Sequence, residues 1–228
     1  MLLLVTDTSG KNGSVGLALA GVRAEDKIRV IESVPLAGGT FSAQLVPQIA
    51  ALLDQHGFKK NDIGAFVVVT GPGSFTGLRV GLAAIKALAE ILGKPIVPVS
   101  LLEVIALASG KQGKVVAVLD AGRGEVYAGH YEITGDSAKV HREQLIPKEE
   151  LSSAASSSFV STPDASLADF ARQAGCQVFA VQTINAAMIA SLGWKKLQAQ
   201  ETVTPEQLDA NYIRRSDAEL FLKPVAGS

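Results

Sequence analysis

The stretch Gly71-Pro72-Gly73-Ser74-Phe75-Thr76-Gly77-Leu78-Arg79 constrains this chain more than any other. It follows an apolar run, Ala65-Phe66-Val67-Val68-Val69, and opens an Ala/Leu/Gly-rich segment reaching about Leu92. A buried strand that passes through a Pro/Gly turn into a helix is the local grammar of an α/β protein. Ser74 or Thr76 stands where it can cap the first helical turn. Gly73, Gly77 and Gly81 recur every four residues, so they lie along one side of the helix. Such a stripe admits close approach of something: an anion at the helix N-terminus, or the backbone of a second helix. It is not a Walker A loop, because Gly77 is followed by Leu78 and Arg79 rather than by Lys and Ser/Thr. Leu78, Leu82, Ile85, Ala89 and Leu92 form another apolar face, and only Arg79, Lys86 and Glu90 are charged. A helix apolar on most sides is buried on most sides, in its own core by default and against a partner subunit otherwise.

The chain has 228 residues, 47% of them hydrophobic, which suffices for a large core in one or two domains. Its formal net charge is −1 with Lys and Arg scattered, so it lacks the basic patch of a chain that grips nucleic acid by itself. The single cysteine, Cys176, forms no internal disulfide and fits a reducing cytoplasm. Asp7 cuts short the opening apolar run, which has no basic flank, so a signal peptide is not expected. No apolar run approaches membrane-spanning length.

The pattern predicts strands over Leu2–Thr6 and Ser14–Ala20 paired as a hairpin, and a third strand over Lys27–Val34. A helix capped by Ser42 runs to about Gln55, with Leu45, Ile49, Leu52 and Leu53 on one face and a bend at Pro47. A strand over Ile63–Thr70 precedes the glycine-opened helix. Pro95–Val99 is a strand and Leu101–Ala108 a short helix. Then the pattern restarts: an apolar strand, Val115–Leu119, ends in Asp120; Gly122-Arg123-Gly124 turns; Glu125–Ile133 alternates. Strand, Asp, turn and return strand appear in both halves, which reads as an internal repeat. Beyond it, Leu151–Ser166 is expected to loop out around a short strand at Ser158–Val160. Leu167–Ala174 and Asn185–Leu197 read as helices, Pro205–Ala210 as a linker and Tyr212–Phe221 as a tail.

Asp7 and Asp120 therefore occupy matching places. Two such hairpins facing across a cleft make a phosphate clamp, in which carboxylates hold a metal-bound water and turn amides hold phosphate. Alternatively each Asp starts its turn by bonding its own backbone. Arg123, Glu125 and Tyr127 either line that cleft or face solvent. His56, His130 and His141 share no ligand spacing, so no zinc site is expected. No Ser-His-Asp set assembles around Ser74.

Five stretches together resemble the TsaB (YeaZ) family of the bacterial tRNA threonylcarbamoyladenosine pathway. They are Asp7-Thr8-Ser9 with Ser14–Ala18; Gln44–Pro47; Gly71–Arg79; Asp120–Tyr127; and Tyr212-Ile213-Arg214-Arg215. The resemblance implies an actin-like, ribonuclease H-like α/β fold of two tandem subdomains, each with a mixed central sheet and flanking helices. The first would span residues 1–101. The second, degenerate one would span 102–228, with the C-terminal segment packing back on the first. It also implies a cytoplasmic, non-catalytic scaffold that dimerises with TsaD, works with the ATPase subunit TsaE, and meets tRNA only through the complex. It admits a homodimer when TsaD is absent, and ATP or ADP at the partner interface, with no membrane association.

On this view Leu45, Ile49 and Leu52 of the first helix, with Gly73, Phe75, Gly77, Leu78, Gly81, Leu82 and Ile85 of the second, form the partner interface. Asp7, Thr8, Ser9, Asp120, Gly122 and Arg123 would be vestigial phosphate loops. The metal-binding His pair of TsaD falls on Leu101 and Ile105. The late Gly-Gly of TsaD and sugar kinases is missing, the one Gly-Gly being Gly38-Gly39. Phe41 stands where many members have a histidine. An actin-like ATPase or sugar kinase using Asp7 and Asp120 is the alternative; a metallopeptidase lacks its ligands.

Overall fold

The structure is a computed structural model that describes residues 1–21 and 28–214. Five strands make the first sheet: β1 (Leu2–Asp7), β2 (Asn12–Leu19), β3 (Arg29–Ala37), β4 (Ile63–Gly71) and β5 (Ile96–Ser100), in the order β3-β2-β1-β4-β5. β1, β2 and β3 run as an antiparallel meander, while β4 and β5 join β1 in parallel. β1 and β4 are apolar at nearly every position because both sheet faces are covered. Leu2, Leu4, Phe66 and Val68 point to α1 (Phe41–Gln55) and α2 (Phe75–Leu92); Leu3, Val5, Val67 and Val69 point the other way. The third strand begins at Arg29 rather than Lys27, which lies outside the described residues, and it runs on to Ala37. A bulge between Leu17 and Ala18 adjusts its pairing with β2.

Helix ends follow local chemistry. Ser74 caps α2 by accepting from the Gly77 N–H at 3.3 Å, and Gly93 ends it in the left-handed region at φ 61°. Ser42 is not the cap of α1. That place falls to Thr40, whose hydroxyl instead donates to the Ala37 carbonyl and accepts from Gln44 Nε2.

The second sheet repeats the first. β6 (Gly113–Gly122), β7 (Glu125–Thr134) and β8 (Ser137–Pro147) form the antiparallel meander, and β9 (Phe159–Thr162) and β10 (Gln177–Ala180) add in parallel, in the order β10-β9-β6-β7-β8. α3 (Leu101–Ala108) joins the two sheets. Its Val104 packs with the first, and Leu102, Ile105 and Ala106 pack with β6 and β7. Leu101 and Ile105, where the resemblance implies that a metal-binding pair has been lost, are aliphatic groups of that junction.

Between β8 and β9 the expected loop contains a short helix, α4 (Leu151–Ala154). α5 (Ala165–Gln173) is capped by Asp164 at the Leu167 N–H, and α6 (Ala186–Gln198) by Asn185 at the Ala187 and Met188 N–H groups. β8 and β10 carry no strand signal in sequence. Both are edge strands: β8 exposes Lys139, His141 and Arg142, and β10 is only four residues long.

α6 returns to the first sheet, where a Cβ on Gly193 would collide with the Val67 side chain. The chain after it is not a linker. Val203 bridges to Ile96 on β5, Leu208 is buried in the first core at 1% exposure, and the Asn211 N–H donates to the Thr70 carbonyl at 2.8 Å. Of the expected tail, Tyr212–Arg214 is described and the remainder lies outside the described residues. Leu208→Ala should therefore cost about 2–5 kcal/mol of stability in urea unfolding. A tethering linker would show a change within about 0.5 kcal/mol.

Candidate functional site

The glycine stripe of α2 is filled by a turn, not by a helix. A Cβ placed on Gly73 would fall on the Ser9 carbonyl oxygen, on Gly77 on the Thr8 carbonyl oxygen, and on Gly81 on Thr8 Oγ1. The Ser74 N–H donates to the Ser9 carbonyl at 2.6 Å, anchoring the turn to the helix start. Phe41, at the head of α1, closes the other side: its ring lies about 3 Å from where a Cβ would stand on Gly13 or Gly77. The aromatic ring at this position is therefore a core plug beneath the β1–β2 turn.

The two hairpin turns face one cleft of about 520 Å³. Ser9, Gly10 and Lys11 come from the first hairpin, and Asp120, Ala121 and Arg123 from the second. Gly73, Ser74, Phe75 and Leu78 form its floor beside α2, and Asn211–Arg214 cross it. The β6–β7 turn is a two-residue turn with Arg123 at φ 59° and Gly124 at φ 76°, the mirror-image geometry that suits a tight hairpin.

Both aspartates bond their own turns. Asp7 Oδ1 accepts from the Ser9 N–H at 2.8 Å and the Ser9 hydroxyl at 2.6 Å, and Asp120 Oδ1 accepts from the Gly122 N–H at 3.1 Å. Their surroundings differ. Burial pushes the Asp7 carboxyl above the ordinary carboxylate range, although its two bonds from Ser9 pull it back. Asp120 is exposed and lines the cleft, whereas Asp7 lies behind the turn rather than on the cleft wall.

Of the residues expected at a partner interface, Gly73, Phe75 and Leu78 reach the cleft. Leu45, Ile49 and Leu52 of α1, and Gly77, Gly81, Leu82 and Ile85 of α2, are buried within the chain, as Leu78 also largely is. That expectation is corrected: these side chains fill the first core, because α1 and α2 lie flat on the sheet and turn their most apolar sides inward. The outward sides carry apolar groups too, among polar ones: Val46, Pro47 and Ala50 on α1, and Ala83, Ala87 and Ile91 on α2. Val46 is 51% exposed and Ile91 73%.

Two residues near the cleft, Glu143 and Lys11, have no sequence signal. Glu143, on edge strand β8, accepts from the Ser100 hydroxyl at 2.5 Å, from the Tyr131 hydroxyl and from the Asn211 side-chain amide. Burial and the Glu143 carboxylate hold the Tyr131 phenol far above its ordinary pKa. Lys11 lies in a loop that sequence marks only as a turn. No group of three or more His, Cys, Asp or Glu among the described residues could hold a metal ion, and no helix there is long and apolar enough to cross a membrane.

Two like-built mixed sheets, joined through α3 with their first hairpins facing one cleft, define a two-subdomain α/β protein. A family model described as "TsaD: tRNA N6-adenosine threonylcarbamoyltransferase" matches residues 35–210. The chain belongs to this family, in its TsaB (YeaZ) branch. It is 37% identical over 134 residues to the tRNA threonylcarbamoyladenosine biosynthesis protein TsaB of Bacillus subtilis, covering 58% of this chain and 56% of that one. The TsaB of Escherichia coli is 30% identical over 135 residues, 58% of this chain and 55% of that one. The chain thus aligns with little more than half the length of these curated relatives. The solved structure of YeaZ from Pseudomonas aeruginosa superposes with a TM-score of 0.73 at 26% identity, over 92% of this chain and 100% of that one.

Two outcomes follow from the geometry. Gly81→Leu should displace Thr8 and cost about 1–3 kcal/mol or more by overpacking, read as a lowered melting temperature. An unchanged melt would mean that the turn does not sit on the stripe. For Asp7, a folded-state pKa above the unfolded one means that the folded chain holds the extra proton. Stability is then full below the ordinary carboxylate pKa of 3.8 and falls as pH rises through the raised value. Asp7→Asn keeps the acceptor for Ser9 and removes this loss. It should be at least as stable as the parent at pH 7 in urea unfolding, with the difference vanishing below about pH 4.

Proposed function

We propose that this chain is a non-catalytic subunit of the tRNA N6-threonylcarbamoyladenosine pathway, docking TsaD through the outward sides of α1 and α2. The observation that carries the reading is the pair of exposed apolar stripes, Val46/Ala50 and Ala83/Ala87/Ile91, on adjacent helices of a TsaB-branch chain. Spacing of i, i+4 keeps each stripe on one side of its helix, and exposed apolar area of this kind suits a protein partner. The aspartates support the same reading, since each spends an oxygen on its own turn. TsaE completes the assembly on this view, tRNA is met through the complex, and the compartment is the cytoplasm.

Reconstitution with TsaD, TsaE and a threonylcarbamoyl-adenylate donor tests it. The chain alone should leave adenosine 37 unmodified, and the full mixture should modify it. Val46→Asp with Ile91→Asp should weaken the heterodimer tenfold or more, because a buried unpaired charge is costly, and modification should fall with it. Both sites are exposed, so the variant should keep its circular dichroism and melting temperature. Asp120→Asn should leave activity intact. The reverse pattern, full activity in the double variant and ATP hydrolysis by the chain alone that Asp120→Asn abolishes, would install the ATPase alternative.

A further inference from the structure

We propose that Asn211–Arg214 is a latch that holds the two subdomains closed at the cleft, working against the fixed junction at α3. The segment is anchored on both sides within four residues. On the first subdomain, the Asn211 N–H donates to the Thr70 carbonyl at the end of β4 (2.8 Å). The Tyr212 ring lies 4.9 Å from that of Phe75, and its hydroxyl accepts from Arg79 Nε at 3.3 Å. Arg79 in turn lies over the Phe75 ring, 3.7 Å from its centre. On the second subdomain, the Asn211 amide donates to the Glu143 carboxylate, Ile213 packs into the cluster of Tyr127 and Tyr131, and the Arg214 guanidinium grips the β6–β7 hairpin. One of its nitrogens donates to the Ala121 carbonyl at 2.8 Å and another to the Glu125 carboxylate.

The two ends of the assembly differ in kind. At α3 the subdomains share buried aliphatic side chains, with the Glu103–Lys196 ion pair (3.1 Å) alongside, and such a junction does not open without unfolding. At the cleft, apart from the apolar seat of Ile213, closure runs through polar groups, of which the Arg214 side chain is 26% exposed and Glu125 37%. Interactions of that kind are screened by salt and individually weak. A packed hinge opposite a wet, charge-dependent fastening is a two-state element. Closed, it puts Tyr212 and Arg214 on the cleft wall beside Ser9, Asp120 and Arg123. Open, it frees the β6–β7 hairpin to move away from α2.

Hydrogen exchange of the full chain, resolved to the two turns, tests the latch. In the parent, exchange at Ser9–Asn12 and Asp120–Glu125 should quicken severalfold between 20 mM and 500 mM salt, with β4 amides unaffected. Arg214→Ala should raise exchange in both turns tenfold or more already at low salt, and should abolish the salt dependence; Arg214→Lys should fall between. Tyr212→Ala reaches the same state from the other anchor. Should either alanine variant lose its circular dichroism spectrum, the salt response of the parent decides. Salt-independent exchange in the parent, or an Arg214→Ala chain that folds and exchanges like the parent, overturns the latch.

Discussion

The fold depends on one close approach, that of α2 onto the β1–β2 turn. Three glycines spaced by four residues let the backbone of Thr8 and Ser9 lie against the helix, where any Cβ would stand on a backbone or hydroxyl oxygen. The contact decides much else. It places the Ser9 carbonyl on the N–H of the cap residue Ser74, it leaves room for Phe41 to plug the turn from below, and it holds the first hairpin at one wall of the cleft. Steric permission of this sort is all-or-none, since interiors transmit a misplaced methyl rather than absorb it.

Most of the fold was legible because its signals are local. β1 and β4 read as unbroken apolar runs since both faces are covered, and α2 announces its start through Ser74. The restart at Val115 was legible as a repeat, and the two sheets share one strand order. β8 was silent because only Ile146 along it is buried, and β10 because four residues are too few to show a period. The segment around Leu208 read as a linker because one apolar side chain among polar neighbours gives no period, yet that side chain is anchored in the first core. Periodicity reports which side of a helix is apolar, not what covers it. Hence the glycine stripe was expected to meet an anion or a helix, and the inward faces of α1 and α2 were expected to meet a partner.

The candidate site was legible in its parts and not in its assembly. Asp7 and Asp120 stand out as a pair from the repeat alone, and the Tyr212–Arg214 motif is visible near the end of the described chain. That these meet at one cleft is a matter of tertiary closure. Glu143, which ties Ser100, Tyr131 and Asn211 together, could not have been read from an edge strand rich in charges.

The two halves of the repeat keep one backbone device and assign it different electrostatics. In each hairpin the aspartate accepts from the N–H two residues on, so the turn is made the same way twice. Asp7 is enclosed by the packing of the turn on α2, and burial drives its carboxyl toward the protonated form. Asp120 stays exposed. A clamp needs two carboxylates that both present charge to the same space, and here one has been drawn into the packing. The outward sides of α1 and α2 bear none of that packing: Val46 and Ile91 touch solvent while Leu45 and Leu82 hold the core. Substitutions can therefore separate the residues this chain needs to fold from those α1 and α2 leave exposed, because the two sets of residues occupy opposite sides of the same helices.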